Sequence, residues 1–159
     1  MALKRLQQEY KQYKEDIPSF YTIELDQKNP FIWYILIFGP NDTIFEGGIF
    51  KCQINFSIDY PNKAPELKFI TELLHPNIYP DGKICISILH DGQIQFGEDE
   101  DITERWTPIQ SVNTIIMSII SLLISPNLNS PANVDIAKLW RDDFNNYKKI
   151  IYTIITKNN

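Results

Sequence analysis

The sequence contains few of the residues that build metal sites and disulfide frameworks. Its 159 residues include only two cysteines and two histidines. A disulfide framework is therefore not expected, and this cysteine usage is typical of a reducing cytosolic compartment. The four side chains, Cys52, Cys85, His75 and His90, also lack the paired spacing of zinc ligands. We predict no metal site.

Long hydrophobic runs are absent as well. The most apolar stretch, residues 112–124, is interrupted by four polar residues and is too short to cross a bilayer. The first five residues lead into a charged segment that lacks the apolar core of a signal peptide. We therefore expect a soluble, cytoplasmic protein without direct membrane insertion, which contacts a membrane only through a partner.

The chain also has no excess of basic residues, since its formal net charge is −5. The segment from Asp91 to Glu104 holds six acidic residues and neither Lys nor Arg. The rest of the chain, with 14 acidic and 15 basic residues, is nearly neutral. This distribution predicts a local acidic loop, and it gives no indication of a nucleic-acid-binding surface.

Hydrophobic periodicity predicts a helix followed by strands in the first half of the chain. Apolar residues recur at helical spacing from Leu3 to Tyr13, and Pro18 closes that segment. Apolar residues then follow strand-like patterns, strictly alternating between Phe50 and Ile58. The strands are predicted at residues 20–25, 31–38 and 50–58, with a shorter one around residues 67–69.

The second half is predicted to be helical. Residues 107–110 (Thr-Pro-Ile-Gln) resemble a capping box with proline at the first helical position, and an apolar, buried central helix should follow. Another helix is expected to open at Ser130-Pro131, and a last one continues from Phe144. This order of elements indicates an α+β fold with one sheet layer, in a single domain over residues 1–159.

Cys85 is the candidate nucleophile. It follows a Pro-Asp-Gly-Lys turn at residues 80–83, which is expected to present it at a loop edge, whereas Cys52 lies on the buried face of a predicted strand. No histidine lies within a turn of Cys85 to remove its proton. This combination favours a carrier cysteine that accepts an activated acyl group over a hydrolase cysteine that attacks amides unaided.

Asn77, eight residues before Cys85, is the candidate electrostatic partner. When an amine attacks a thioester on Cys85, negative charge develops on the carbonyl oxygen, and a positioned amide N–H stabilises it. Alternatively, Asn77 closes the turn after Pro76 through bonds to the backbone; the two roles are compatible. His75 is interpreted as a support of this loop, and His90 as a residue of the loop entrance rather than a base.

These segments resemble the active-site region of ubiquitin-conjugating enzymes, and the resemblance covers nearly the whole chain. It rests on the block from His75-Pro76-Asn77 to Cys85, on Gly39-Pro40, Thr43, residues 45–48 and Phe50, and on Tyr60-Pro61 and Trp106-Thr107-Pro108. The 21-residue step from Cys85 to Trp106 is similar to a subclass with an acidic insertion, here at about residues 90–104. Further segments resemble the type that serves endoplasmic-reticulum-associated degradation, namely residues 86–90, 104–106, 132–135 and 140–143.

The resemblance implies a ubiquitin-conjugating fold: an N-terminal helix, a four-stranded antiparallel meander, a central helix and two C-terminal helices. It implies that Cys85 accepts ubiquitin as a thioester from the activating enzyme, and that Asn77 assists transfer to a lysine of a substrate or of ubiquitin. The activating enzyme uses ATP, and no cofactor is expected on this chain. Ser130 matches the gate position of the family, near the cysteine at a helix start. Such enzymes tend to build ubiquitin chains, here for proteasomal degradation.

The resemblance also implies a docking surface for the RING domains of ubiquitin ligases. Its residues would be Lys4 and Arg5 of the first helix, Asn62, and the loop residues Thr107, Pro108 and Ile109. Two departures affect this surface, since Asn62 replaces a hydrophobic residue that usually fills the RING groove and Ala64 replaces a proline. They put standard docking in doubt or imply an adapted partner.

The acidic segment has two interpretations. As a charge run with two glycines, it fits a solvated loop. Alternatively, because it follows the strand that carries Cys85, the segment could lie over the acyl site. There it would support catalysis by holding an incoming lysine through charge pairing. The candidate supporting residues include Asp91, Glu98 and Asp99.

The strand predicted at residues 31–38 is apolar on both faces, although a single-layer sheet normally has one polar face. We hypothesise that Thr22, Ile32, Tyr34 and Leu36 form an adhesive back face for an amphipathic segment of a membrane-anchored scaffold or ligase, which would recruit the protein to the endoplasmic reticulum membrane. The alternative is that the N-terminal loop packs on this face.

Three other functions remain open at the level of the sequence. A catalytically silent binding protein is disfavoured because both Cys85 and Asn77 are present. A cysteine hydrolase is disfavoured because no histidine is placed as an evident base. Transfer of a different ubiquitin-like modifier is not excluded by these motifs.

Overall fold

The computed structural model describes residues 1–90 and 105–158. The first helix comes at the N-terminus, four strands follow, and three helices complete the chain. The elements are α1 (Ala2–Glu15), β1 (Tyr21–Leu25), β2 (Ile32–Phe38), β3 (Ile49–Asn55), β4 (Glu66–Phe69), a 3-10 turn (Ser87–Leu89), α2 (Val112–Ile124), α3 (Val134–Asp142) and α4 (Phe144–Asn158). The predictions for Asp91, Glu98 and Asp99 lie outside the described residues.

The four strands form one antiparallel sheet in the order β1-β2-β3-β4. Along β2, the buried residues Trp33, Ile35 and Ile37 alternate with half-buried ones, so one face of the sheet lies on the core. The N-terminal helix, the antiparallel meander and the α+β class are thereby confirmed.

Helix α1 lies against the edge of the sheet at β1. Its Leu6 and Tyr13 are buried, and the Tyr13 ring stacks on Tyr21 with 6.0 Å between centroids. The Tyr13 hydroxyl accepts a hydrogen bond of 3.0 Å from the backbone N–H of Ile23. Because that N–H belongs to an edge strand, the phenol satisfies a donor that would otherwise lack a strand partner.

Helix α2 is the central helix, with Ile115, Ile116 and Ile119 fully buried. Its predicted start at residues 107–110 is wrong. Those residues form a separate turn, in which the N–H of Gln110 donates to the carbonyl of Thr107 at 3.0 Å. The helix begins four residues later, where Ser111 and Thr114 make a reciprocal capping box.

Two other predicted boundaries also differ from the structure. The helix expected at Ser130 begins at Val134, because the Asn133 side chain accepts from the N–H of Ile136 at 3.2 Å and caps it. Strand β3 ends at Asn55, so Ile58 is 77% exposed rather than on the buried face. None of the helices among the described residues is both long and apolar enough to span a membrane.

Candidate active site

Cys85 is held on a short hairpin, residues 77–85, that packs beside β4. The backbone N–H of Cys85 donates to the carbonyl of Asn77 at 2.8 Å, and the N–H of Tyr79 donates to the carbonyl of Lys83 at 2.8 Å. Gly82 turns the hairpin with a φ of +96°, and a Cβ there would stand 2.3 Å from the carbonyl oxygen of Phe69. Only glycine fits this approach, so the turn chemistry places Cys85 opposite Asn77.

The two cysteines have opposite environments. Cys52 is 0% exposed, and burial raises the pKa of its thiol. Cys85 is partly exposed, and its neighbours Ile84 and Ile86 are both buried. Because side chains alternate along an extended chain, the Cys85 thiol points away from the core. Of the two, Cys85 is therefore the thiol that an external acyl group can reach.

His75 supports the loop and is not paired with the thiol. Its Nδ1 accepts from the backbone N–H of Asn77 at 3.0 Å, and its Nε2 lies 3.3 Å from the carbonyl oxygen of Leu123. The neutral tautomer with its hydrogen on Nε2 can make both hydrogen bonds, since Nδ1 then accepts and Nε2 donates. Burial lowers the pKa of His75 to about 4, so the ring is neutral at pH 7. His75 thus joins the turn at residues 75–78 to the C-terminal end of α2.

Asn77 holds a second loop against this turn. Its Nδ2 donates to the carbonyl of Asn127 at 2.8 Å, and its Oδ1 accepts from the backbone N–H of Asn127 at 2.9 Å. The carbonyl of Pro76 accepts from the N–H groups of Ala132 and Asn133 at 2.8 and 3.0 Å. Four hydrogen bonds therefore fix the loop at residues 127–133. An amide nitrogen carries two hydrogens, so this bond uses one of the two Nδ2 donors.

Ser130 lies within the loop that Asn77 and Pro76 hold. It is exposed, and it precedes the cap of α3, Asn133, by three residues. The expectation that Ser130 stands at a helix start is therefore wrong, because the side chain that caps the helix is that of Asn133. The structure does place Ser130 in the segment that borders the Cys85 hairpin.

Tyr79 is a neighbour of Cys85 that the sequence interpretation missed. Tyr79 is 45% exposed and lies close enough to Cys85 for the two side chains to interact electrostatically. The pKa of Tyr79 is raised, first by the charge of a Cys85 thiolate, then by desolvation, by a further side-chain interaction with Cys85 and by Asp81. The sequence did contain a signal for this contact. A turn was predicted from Pro80 and Gly82, and Tyr79 pairs with Lys83 across that turn.

The residues that flank the acidic segment are hydrogen-bonded to each other beside this hairpin. The backbone N–H of Trp106 donates to the carbonyl of His90 at 3.0 Å, so the residues on either side of 91–104 are joined. Across residues 1–90 and 105–158, no three His, Cys, Asp or Glu side chains come close enough to share a metal ion.

Comparison with known proteins connects this geometry to a family. A profile described as "Ubiquitin-conjugating enzyme" matches residues 5–155. The chain belongs to the ubiquitin-conjugating enzyme family. It is 47% identical over 158 residues to ubiquitin-conjugating enzyme E2 G2 of Homo sapiens, covering 98% of this chain and 95% of that protein. It is 42% identical over 154 residues to ubiquitin-conjugating enzyme E2 15 of Schizosaccharomyces pombe, covering 96% and 92%.

As a ubiquitin-conjugating enzyme, the protein belongs to a class of transferases that carry ubiquitin as a cysteine thioester and act with ligases. The structure brings together the three segments that the sequence assigns to ligase binding. Arg5 Nε donates to Glu9 Oε2 at 3.0 Å, and Arg5 Nη2 donates to the carbonyl of Gln110 at 2.8 Å. Glu9 also accepts from the Tyr60 hydroxyl and, at 2.8 Å, from the N–H of Val112. Arg5 and Glu9 therefore join α1 to both loops of this face of the conjugating enzyme.

The outer part of the face that the sequence predicts for ligase binding is made by other residues. Lys4, Asn62, Thr107, Pro108 and Ile109 are all exposed, and Ile109 is 85% exposed. Trp106 Nε1 donates to the carbonyl of Pro61 at 2.8 Å, which holds the loop of Asn62 next to that of Pro108. The half-buried Arg5 acts as an internal connection here, whereas Lys4 presents the exposed charge.

The back-face residues lie on the outer side of the sheet of the conjugating enzyme. Thr22, Ile32, Tyr34 and Leu36 are each half-buried, and Thr22 pairs directly with Leu36. The Lys51 ammonium lies 4.7 Å from the Tyr34 ring centroid. On this face the apolar side chains of β2 therefore lie beside the polar residues Lys51, Gln53 and Asn55 of β3.

Proposed function

We propose that Cys85 is the residue that carries ubiquitin. Its partial exposure on the outward side of the hairpin, beside Asn77, is the observation that supports this assignment. In the loading step the Cys85 thiolate attacks the thioester of the activating enzyme, a new C–S bond forms, and the thiolate of the activating enzyme leaves. Exchange of one thioester for another is nearly balanced in free energy, so it needs no strong base on this chain.

In the transfer step the amine of an acceptor lysine attacks the carbonyl carbon on Cys85. A C–N bond forms, the C–S bond breaks, the Cys85 thiolate leaves, and the nitrogen loses its proton. The second Nδ2 hydrogen of Asn77 would donate to the oxygen that becomes negative in this step. One such donor stabilises the transition state by about 3–4 kcal/mol. The four hydrogen bonds of residues 76 and 77 would meanwhile keep the loop of Ser130 beside the acceptor lysine.

We infer that ligase RING domains bind the face formed by Lys4, Asn62 and residues 107–109, and that the product is a ubiquitin chain for proteasomal degradation. The internal bonds of Arg5 and Glu9 support this surface because they hold its segments in one arrangement. The supporting roles of Asp91, Glu98 and Asp99 remain proposals. The activating enzyme supplies the ATP chemistry, and we expect no cofactor on this chain.

A membrane-anchored scaffold that binds the back face is the proposed route to the endoplasmic reticulum membrane. The half-buried residues Ile32, Tyr34 and Leu36 support this, since they place three apolar side chains on the outer side of the sheet. Tyr34→Glu should weaken binding of such a scaffold in a titration, and unchanged affinity would refute the proposal.

A charging assay tests the catalytic assignment. Ubiquitin, its activating enzyme, ATP and this protein are incubated and run on gels with and without reductant. We expect a band shifted by one ubiquitin that disappears with thiol and is absent for Cys85→Ala. A folded wild-type protein without this band would instead favour another modifier or a binding role. An activating enzyme for a different ubiquitin-like modifier in a parallel lane distinguishes those two outcomes.

A further inference from the structure

Two lysines face each other beside the Cys85 hairpin. Lys68 of β4 and Lys83 of the hairpin are direct partners in an antiparallel bridge. Residues directly opposite in such a pair place their side chains on the same face. Leu67 and Phe69 are buried, whereas Lys68 and Lys83 are exposed, so that face is the outer one.

The pairing of these lysines is fixed by the backbone. The N–H of Phe69 donates to the carbonyl of Gly82 at 2.8 Å, one residue from the lysine pair on each strand. The close approach that excludes a Cβ at Gly82 prevents the hairpin from shifting along β4. Lys68 and Lys83 are therefore held opposite one another.

The lysine pair is also close to the thiol. Ile84 and Ile86 point into the core, so Lys83 and Cys85 share the outward side of the same extended segment. Residues two apart on a strand are about 7 Å apart. A chain that brings an amine to Cys85 therefore passes within reach of both ammonium groups.

The charges of Lys68 and Lys83 have no ionic partner in the part of the chain that the structure describes. Neither forms an ion pair, although Glu66 lies two residues away on the same side of β4. Like charges directly opposite on neighbouring strands are destabilising. Both lysines and Glu66 also line a cleft of about 530 Å³ next to the hairpin. An external carboxylate would offset the repulsion and find room there.

We propose that Lys68 and Lys83 bind an acidic side chain of the acceptor polypeptide, close in sequence to the lysine that receives ubiquitin. This inference rests on the proposed role of Cys85. An extended chain advances about 3.3 Å per residue, so an acid about two residues from the acceptor lysine spans the distance from Cys85 to the pair. The carboxylate takes no part in bond making; it holds the acceptor while the amine attacks. The pair thus selects acceptors by charge next to the lysine.

The test measures single-turnover transfer from the preformed ubiquitin thioester to short peptides. Each peptide has one lysine and one glutamate, placed one, two or three residues to either side, and each has a glutamine counterpart. For the best spacing, we expect kcat/KM for the glutamate peptide to exceed that for the glutamine peptide about five-fold at low salt. The ratio should fall towards one in about 1 M salt.

Variants assign the preference to the pair. The double variant Lys68→Gln, Lys83→Gln should lose the ratio, whereas Lys68→Arg, Lys83→Arg should keep it, because charge is retained. The arginine variant also removes Lys83 as an acceptor amine, so it separates binding from self-modification. Lys148→Gln, Lys149→Gln on the exposed face of α4 is the matched control, with the same loss of net charge and an unchanged ratio.

Either of two results with the pair itself would overturn the proposal, and a third result with the control would do the same. The first two are equal rates for the two peptide classes at every spacing and a preference that survives the double glutamine variant. A preference that is lost equally in the α4 control would also overturn it, because net charge would then be responsible. Absence of any thioester on Cys85 would instead refute the proposed function itself.

Discussion

Strand β3 and the Cys85 hairpin each carry one cysteine on an extended segment, and they use it differently. In β3, the Cys52 side chain points to the inner face of the sheet and is fully buried in the core. In the hairpin, the isoleucines on both sides of Cys85 point into the core, so the thiol points outward. The side of the extended segment on which each side chain lies decides which cysteine belongs to the core and which is available for chemistry.

Alkylation of the native protein gives the largest expected contrast between the two segments. Cys85 should react with iodoacetamide at least about a thousand-fold faster than Cys52, because a buried thiol reacts only after an opening reaction that costs several kcal/mol. Mass spectrometry of the two cysteine peptides measures both rates. In denaturant the rates should converge. Similar rates in the native protein would contradict the burial of Cys52.

The hairpin can be examined further at Asn77. Asn77→Ala should slow discharge to free lysine about 100-fold, because it removes the donor proposed for the oxyanion, while thioester formation persists. Single-turnover gels measure both steps. Asn77→Ala should also lower the free energy of unfolding, since it leaves the backbone groups of Asn127 without partners. A folded but destabilised variant with wild-type discharge would leave Asn77 no role beyond the turn.

The stability of the region around the hairpin should also depend on pH, because His75 is buried there. Its pKa is about 4 in the folded protein and about 6.5 when exposed, so the unfolded chain binds the proton more readily between these values. Stability is unaffected above pH 6.5 and falls as the pH decreases towards 4. From pH 7 to 4.5 the loss from this group is about 2–3 kcal/mol. Urea unfolding of the wild type and of His75→Gln at both pH values measures it, and an equal loss in both proteins would exclude His75 as the cause.

The smallest expected effect is at Cys52. Cys52→Ala should retain charging and discharge, since the residue lies in the sheet core, and should lower the free energy of unfolding by about 1–2 kcal/mol because the core loses a sulfur. Denaturant titration and the charging gel measure the two quantities. Loss of charging in a folded Cys52→Ala protein would contradict the claim that only Cys85 of the two cysteines takes part in charging.

The sequence was informative where local chemistry and side-chain alternation agree. Leu6 and Tyr13 of α1 and the alternating residues of β2 face the core as their spacing predicts. Boundaries were less predictable, because Pro108 suits the first position of a helix and equally a tight turn. At residue 111 the chain is extended, and Ser111 rather than Thr107 caps α2. Ile58 kept the alternating pattern after the strand had already ended at Asn55.

The geometry of the site required tertiary contacts that the sequence does not display. The two bonds from Asn77 to Asn127 join residues 50 positions apart, and no local pattern signals them. The same holds for Arg5, whose guanidinium reaches the carbonyl of Gln110, and for the Lys68–Lys83 pair. Motifs located the cysteine and its neighbours, and packing determined which partners each side chain finds.

The most direct test is to map the ubiquitin attachment on the charged protein. Cys85→Ser would trap ubiquitin as an ester, and tryptic peptides of that adduct would then be sequenced by mass spectrometry. We expect the glycine remnant of ubiquitin at residue 85, with the Cys52 peptide unmodified. A remnant at another residue, or an adduct that forms equally in Cys85→Ala, would contradict the assignment of Cys85 as the carrier.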